Sequence, residues 1–242
     1  MTPSVDPGVI ARLRGALSRS SESVERRRPT GFTALDAALL GGLPVGALTE
    51  VYMAAPGAGA LEALLPCLIP ESGKSVAWVH PSSFPYPPAL ARAGFDLSRW
   101  MLVRPETDDD HLWALEQCLR SPGCGAVVSH AGDLPDSVMR RLALAAEEGG
   151  STGFLVRPAA LMPRPSPAAV RLLAEPVPSF VPERRRMRVT VLKCRGTPHT
   201  PQLVLEWNRE TLDRDAFSLA ADRTGLGGDA DARESSVRTL HA

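Results

Sequence analysis

The chain holds 242 residues, 44% hydrophobic and 22% charged, which suits one domain with a buried core and excludes wholesale disorder. Lys+Arg and Asp+Glu balance at 27 each, so a globally basic nucleic-acid binder is excluded and any DNA contact needs a local patch. No apolar stretch escapes interruption by charge, Gly or Pro for long enough to span a bilayer, and the Arg-rich start lacks the apolar run of a secretory signal. The four Cys (Cys67, Cys118, Cys124, Cys194) show no C-x-x-C spacing. They read as reduced thiols filling the core of a cytoplasmic protein, with no zinc site and no other metal.

In chain order, residues 8–28 come first. Val9, Ile10, Leu13 and Leu17 recur at helical spacing among Arg12, Arg14, Arg19 and Arg26, Arg27 and Arg28, and Pro29 stops the run. Residues 1–29 thus read as a basic amphipathic helix, packed on the domain or on a partner, with a DNA-binding arm as the alternative. From 30 to 208 short β-rich runs alternate with helical periodicity. Strands are expected at 48–53 (LTEVYM), 75–80 (SVAWVH), 100–104 (WMLVR), 125–129 (GAVVS) and 153–157 (GFLVR). Helices are expected at 61–69, where Pro66 weakens the pattern, at 88–94, and at 108–120, where Leu112, Leu115 and Leu119 share a face. Another is expected at 135–148, with Val138, Leu142, Ala145 and Ala146 inward and Gly149–Gly150 following. Asp108, Asp109 and Asp110 sit where a helix dipole favours anions. This alternation predicts an α/β fold with a mostly parallel central sheet flanked by helices. Residues 187–193 and 202–207 then look like an antiparallel hairpin at the sheet edge. Residues 209–242 lose periodicity and read as a mostly disordered tail, with a short helix the alternative at 212–221.

Residues 30–52 (TGFTALDAALLGGLPVGALTEVY) are the most informative. Thr30, Gly31, Leu35, Asp36, Leu39, Gly41, Gly42, Leu43, Pro44 and Gly46 match, in one register, T-G-x-x-x-L-D-x-x-L-x-G-G-L-P-x-G. This pattern resembles the approach to the first strand and phosphate loop of the RecA-type ATP-binding core. The likeness runs over roughly residues 30–207 and implies a RecA-like core.

A phosphate loop uses Gly amides to cradle phosphate oxygens, Lys to hold the β- and γ-phosphates, and Ser or Thr to hold magnesium. After LTEVYM this chain reads Ala54-Ala55-Pro56-Gly57-Ala58-Gly59-Ala60-Leu61. Gly57 and Gly59 remain. The first glycine slot is Ala54, the lysine slot Ala60 and the Ser/Thr slot Leu61, so the loop is vestigial as a nucleotide site. The resemblance places a water-activating glutamate after the second strand, where Ser82 stands, and a magnesium-shell aspartate at the end of the fourth, where Ser129 stands. With all four groups lost, the charge stabilisation that dominates phosphoryl transfer has no source, so no ATPase activity, no catalytic residue and no cofactor are expected. Gly73-Lys74-Ser75 spells the end of a phosphate-loop motif. A strand is expected after it where the motif needs a helix N-terminus, so it reads as an ordinary turn. His80, His111, His130, His199 and Asp133 form no metal spacing, although His80 and His130 end strands where α/β proteins place active groups.

Arg184, Arg185, Arg186, Arg188, Lys193 and Arg195 form the strongest local run of basic residues. Three readings stand: a sheet edge protected by charge, a DNA contact, or a contact with an acidic partner surface. Residues 140–160, 166–176 and 189–196 closely resemble the ImuA family, RecA-like and sometimes called SulA-like. That resemblance implies an accessory role in damage-induced, error-prone translesion synthesis. It implies as partners an ImuB-like Y-family polymerase homologue, RecA, and an error-prone C-family polymerase subunit. The rival readings are a SulA-like cell-division inhibitor and an ATP-dependent RecA-type DNA-binding protein.

Overall fold

The computed structural model describes residues 26–54, 64–69, 73–92, 94–198, 200–208 and 214–217. Arg27–Arg28 (β1) pair antiparallel with Leu43–Pro44 (β2), and Thr33–Ala38 (α1) lies between them. Nine further strands make one sheet: β3 (Leu48–Met53), β4 (Ser75–Val79), β5 (Trp100–Val103), β6 (Cys124–His130), β7 (Thr152–Pro158), β8 (Val170–Val177), β9 (Arg184–Cys194), β10 (Gln202–Asn208) and β11 (Arg214–Phe217). Among the described residues, further helices are α2 (Pro87–Arg92), α3 (Asp108–Arg120) and α4 (Asp136–Gly149). The order across the sheet is β11-β10-β9-β8-β3-β7-β6-β4-β5. Strands β5, β4, β6, β7, β3 and β8 run parallel, and β9, β10 and β11 turn back antiparallel from β8.

The central strands are buried along almost their whole length, as parallel strands covered on both faces must be. Alternate residues feed two cores. Val51, Trp78, Val128, Phe154 and Leu172 face Phe32, Leu35 and Leu39 of the α1 region, together with Leu68 and Trp207. Leu48, Ala77, Val127 and Leu155 face Leu115 and Leu119 of α3 and Met139, Leu142 and Ala146 of α4.

The expected strands and the α3 and α4 helices are present, and β9 pairs with β10 as a hairpin. Five expectations are corrected. Arg27–Arg28, assigned to the N-terminal helix, are a strand fixed by Leu43–Pro44, while residues 1–25 lie outside the described residues. Of the helix expected at 61–69, residues 61–63 lie outside the described residues, Leu64 is helical, and Leu65–Leu68 tighten into a 3-10 turn, in keeping with Pro66, which has no N–H to donate. β8 went unassigned, and it carries the sheet from the parallel to the antiparallel half. Gly149 is the last residue of α4 rather than its stop, which is Gly150, left-handed at φ 62. Arg214–Phe217, placed in the disordered tail or a short helix, are instead strand β11, which extends by one strand the antiparallel edge that the β9–β10 hairpin forms. The other residues of 209–242 lie outside the described set.

Candidate functional site

The RecA-like sequence pattern turns out to be a piece of backbone engineering. Asp36 Oδ1 accepts from Thr30 N at 2.6 Å and from Thr30 Oγ1 at 2.8 Å, and Oδ2 accepts from Gly31 N at 3.3 Å. One carboxylate thus closes the turn before α1. Gly42 holds φ 125, and a Cβ there would stand 2.2 Å from Arg28 O. Arg27 Nη1 donates to Leu39 O at 2.7 Å, tying β1 over the same loop. These residues deliver the chain into β3, whose carboxyl end is the place for a phosphate loop. Of that loop only exposed Ala54 is described; Gly57, Gly59, Ala60 and Leu61 lie outside the described residues.

The other slots sit at the same edge of the sheet. Ser82 is exposed in the turn after β4. Ser129 is buried at 0% exposure, and its hydroxyl donates to Val79 O at 2.8 Å and meets His111 Nε2 at 2.7 Å. A side chain engaged by β4 and α3 in this way is a structural pin. Gly73 turns at φ 87 and Ser75 opens a strand, so Lys74 precedes no helix N-terminus.

Three of the histidines, which the sequence left scattered, come together. The His80 ring lies 4.8 Å from that of His130 and 6.3 Å from that of His111, measured between centroids. His80 Nδ1 accepts from Ser82 N at 3.1 Å and Ser83 N at 2.7 Å, so its lone pair is already used. His130 Nδ1 is buried with no partner among the described residues. Burial, then repulsion from His80 and His111, pushes His130 down to about 4. Burial also lowers His80, with His111 adding to it, and lowers His111 against the opposing pull of the Val79 carbonyl and Asp108. All three shifts favour the neutral ring. Among the described residues no group of three or more His, Cys, Asp or Glu is placed to hold a metal ion. His199 lies outside them, and Asp133 is paired with Arg164 at 2.6 Å.

A buried ion cluster escaped the sequence reading. Glu50, 0% exposed in the middle of β3, takes Arg157 Nη1 on Oε1, and Arg171 Nε at 2.9 Å and Tyr52 OH at 2.8 Å on Oε2. Arg157 also donates to Gly132 O at 2.9 Å, and Arg171 to Met162 O at 2.7 Å and Arg164 O at 3.0 Å. The cluster therefore pins the connections after β6 and β7 to the central strand. Burial raises the Tyr52 phenol, with Arg171 opposing and Glu50 adding to the rise. A charge inside LTEVYM and another inside GFLVR were the available signal, because a charge within a buried parallel strand needs a partner.

The arginine run is divided by the structure. β9 is eleven residues long, about 33 Å at strand rise, so Arg195 beyond its far end is remote from Arg184, Arg185, Arg186 and Arg188. Strand alternation divides the rest, since Arg186 stands opposite Glu206 and Arg185 opposite Trp207. Glu206 is shared: it accepts a hydrogen bond from Arg184 Nη1 at 2.8 Å and lies within ion-pair distance of Arg186 Nε, 3.0 Å away. The edge-protection reading is corrected, because β10 and β11 cover β9.

This fold, with a Thr30–Gly46 approach into a central parallel strand, defines a RecA-like α/β protein. No protein-family model matches the chain. Protein RecA of Crocosphaera subtropica is 30% identical over 122 residues, half of this chain and 34% of that protein. Protein ImuA of Caulobacter vibrioides is 32% identical over 179 residues in each of two strains, NA1000 and CB 15, spanning 64% of this chain and 73% of that protein. The chain belongs to the ImuA family. No helix among the described residues is long and apolar enough to cross a membrane.

Proposed function

We propose that this protein is a non-catalytic, RecA-like accessory of damage-induced, error-prone translesion synthesis. It acts in the cytoplasm by docking on an ImuB-like Y-family polymerase homologue, with RecA and an error-prone C-family polymerase subunit as further partners. The observation that carries this reading is 32% identity to ImuA across 73% of that protein. The loss of charge at the nucleotide slots supports the non-catalytic part. Ala60 and Leu61 offer no cation and no hydroxyl, and Ser129 spends its hydroxyl on Val79 and His111. Phosphoryl transfer depends on groups of that kind to hold developing charge.

Two measurements test it. Purified protein, with and without single-stranded DNA, is expected to release phosphate from ATP no faster than the buffer control. Mixed with the ImuB-like homologue, it is expected to co-elute on size exclusion. ATP turnover stimulated by DNA would overturn the non-catalytic reading in favour of a working recombinase, and failure to co-elute would overturn the docking reading.

A further inference from the structure

Lys74, which opens no phosphate site, puts its charge on a thiol instead. The next residue, Ser75 of β4, pairs with Cys124 at the start of β6. Cys118 lies in the last turn of α3. Between the two cysteines the chain folds back twice. Ser121 N donates to Cys118 O at 3.3 Å, and Cys124 N donates to Ser121 O at 3.0 Å. Pro122 and Gly123 make the corner, and Gly123 O accepts from Ser75 N at 2.8 Å. As a result the Cys118 and Cys124 thiols face each other and share a hydrogen bond. Both pack in the core under α3 and α4, whereas Cys67 and Cys194 are buried in the core on the other face of the sheet. Cys124 is 2% exposed, and half-buried Cys118 gives the pair its access to solvent.

This placement makes the pair acidic. The hydrogen bond from Cys118 brings Cys124 down to about 7, with burial opposing it and Ser121 and Lys74 adding to it. The same hydrogen bond and burial push Cys118 up. The pair therefore gives up one proton near neutral pH and holds the other. A thiolate is the form that reacts with oxidants. Through the shared hydrogen bond the remaining proton passes to Cys124, so Cys118 meets an oxidant from solvent as the anion.

We propose that Cys118 and Cys124 are a peroxide-sensitive dithiol that closes to a disulfide across the turn between α3 and β6. The oxidant is hydrogen peroxide or an organic hydroperoxide. The Cys118 thiolate attacks one peroxide oxygen. An S–O bond forms, the O–O bond breaks, and the departing hydroxide or alkoxide takes up the proton that the pair released. The Cys124 sulfur then attacks the Cys118 sulfenic acid. The S–S bond forms, the S–O bond breaks, and the oxygen leaves as water with the Cys124 proton. The dithiol loses an electron pair and the peroxide gains it. The bond ties the end of α3 to β6, beside Leu119 O, which accepts from Ser151 Oγ at 2.6 Å.

The test uses the full chain with all four cysteines and a small excess of hydrogen peroxide. Trypsin cuts after Arg120, between the two cysteines, so mass spectrometry reads the bond as two peptides joined at Cys118 and Cys124. Dithiothreitol should separate them. The link should form faster in native buffer than in urea, by roughly tenfold or more, because the fold holds the thiols together. Cys124→Ser should leave a Cys118 sulfenic acid that dimedone traps, and Cys118→Ser should give neither the link nor a trapped product. Thiols that stay free in peroxide, a bond from either residue to Cys67 or Cys194, a link between two chains, or equal rates in native buffer and urea would overturn the proposal.

Discussion

Glu50 is fully buried between two arginines, and the balance of charge there decides what its loss would do. One carboxylate serves Arg157, 3% exposed, and Arg171, 13% exposed on its side chain. Glu50→Gln removes the anion and leaves two guanidiniums facing each other in a poorly solvated place. Breaking a buried ion pair from one side costs about 3–5 kcal/mol, so Glu50→Gln should lose unfolding free energy of that order, read as a lower urea midpoint. An unchanged midpoint would mean that water reaches the cluster. Gly42 poses a backbone question at the same scale. Its φ is 125, and an alanine Cβ would stand only 2.2 Å from Arg28 O, so alanine has no conformation that keeps β1 beside β2. Gly42→Ala should destabilise by about 2 kcal/mol or more, again read by urea denaturation.

Between elements, the α3–α4 contact reverses an ordinary rule. Alanine for glycine inside a helix usually stabilises by about 0.5–1 kcal/mol. Gly149 lies in the last turn of α4, where a Cβ would come 2.2 Å from Leu119 O and 2.6 Å from Arg120 C, at the end of α3. Gly149→Ala should therefore destabilise, by about 1–3 kcal/mol, and a raised melting temperature would show that the two helices slide apart freely. The same scale explains what the sequence made legible. β3, β4, β6 and β7 are apolar runs, and α3 carries its own start signal in Thr107, whose Oγ1 accepts from Asp110 N at 3.1 Å. Those signals are local, so they survive without a structure. β8 was missed because Arg171, Glu175 and Pro176 break its apolar run, and its place is set by pairing with β3 and β9. β11 is fixed through β10, a partner that its own four residues do not announce. Six-residue α1 likewise takes no side-chain cap and is held by buried Leu35. At the candidate site, the nucleotide slots could be read by position, whereas the histidine cluster and the Glu50 ion cluster depend on strand order and register that no single segment encodes.

Across the whole molecule, the three histidines place a pH dependence at the carboxyl edge, where β4, β6 and α3 meet. An unfolded histidine protonates near pH 6.5. In the folded protein His80, His111 and His130 are all held below their ordinary value, His130 at about 4. The unfolded chain therefore binds more protons than the folded one once the pH drops below about 6.5. The stabilisation is complete above that value and is lost as pH falls through the folded values. Geometry gives the same sign. Protonating His80 at Nδ1 would drive a proton against the Ser82 and Ser83 N–H groups, and charging His130 would set a cation against the His80 ring 4.8 Å away. Asp108 on α3 is the acidic group that opposes this by favouring charged His111. Carboxylates complicate the lowest pH, so the informative window is pH 7 to 5, where most of them stay ionised. The urea midpoint should fall steadily across that window, with a loss of roughly 1–2 kcal/mol after allowance for the partial exposure of these rings. His130→Gln, which cannot take up the proton, should flatten the slope while starting from a lower stability at pH 7. A parent midpoint that stays level from pH 7 to 5 would show that the rings charge freely in the folded state, and that the edge joining β4, β6 and α3 is open to water.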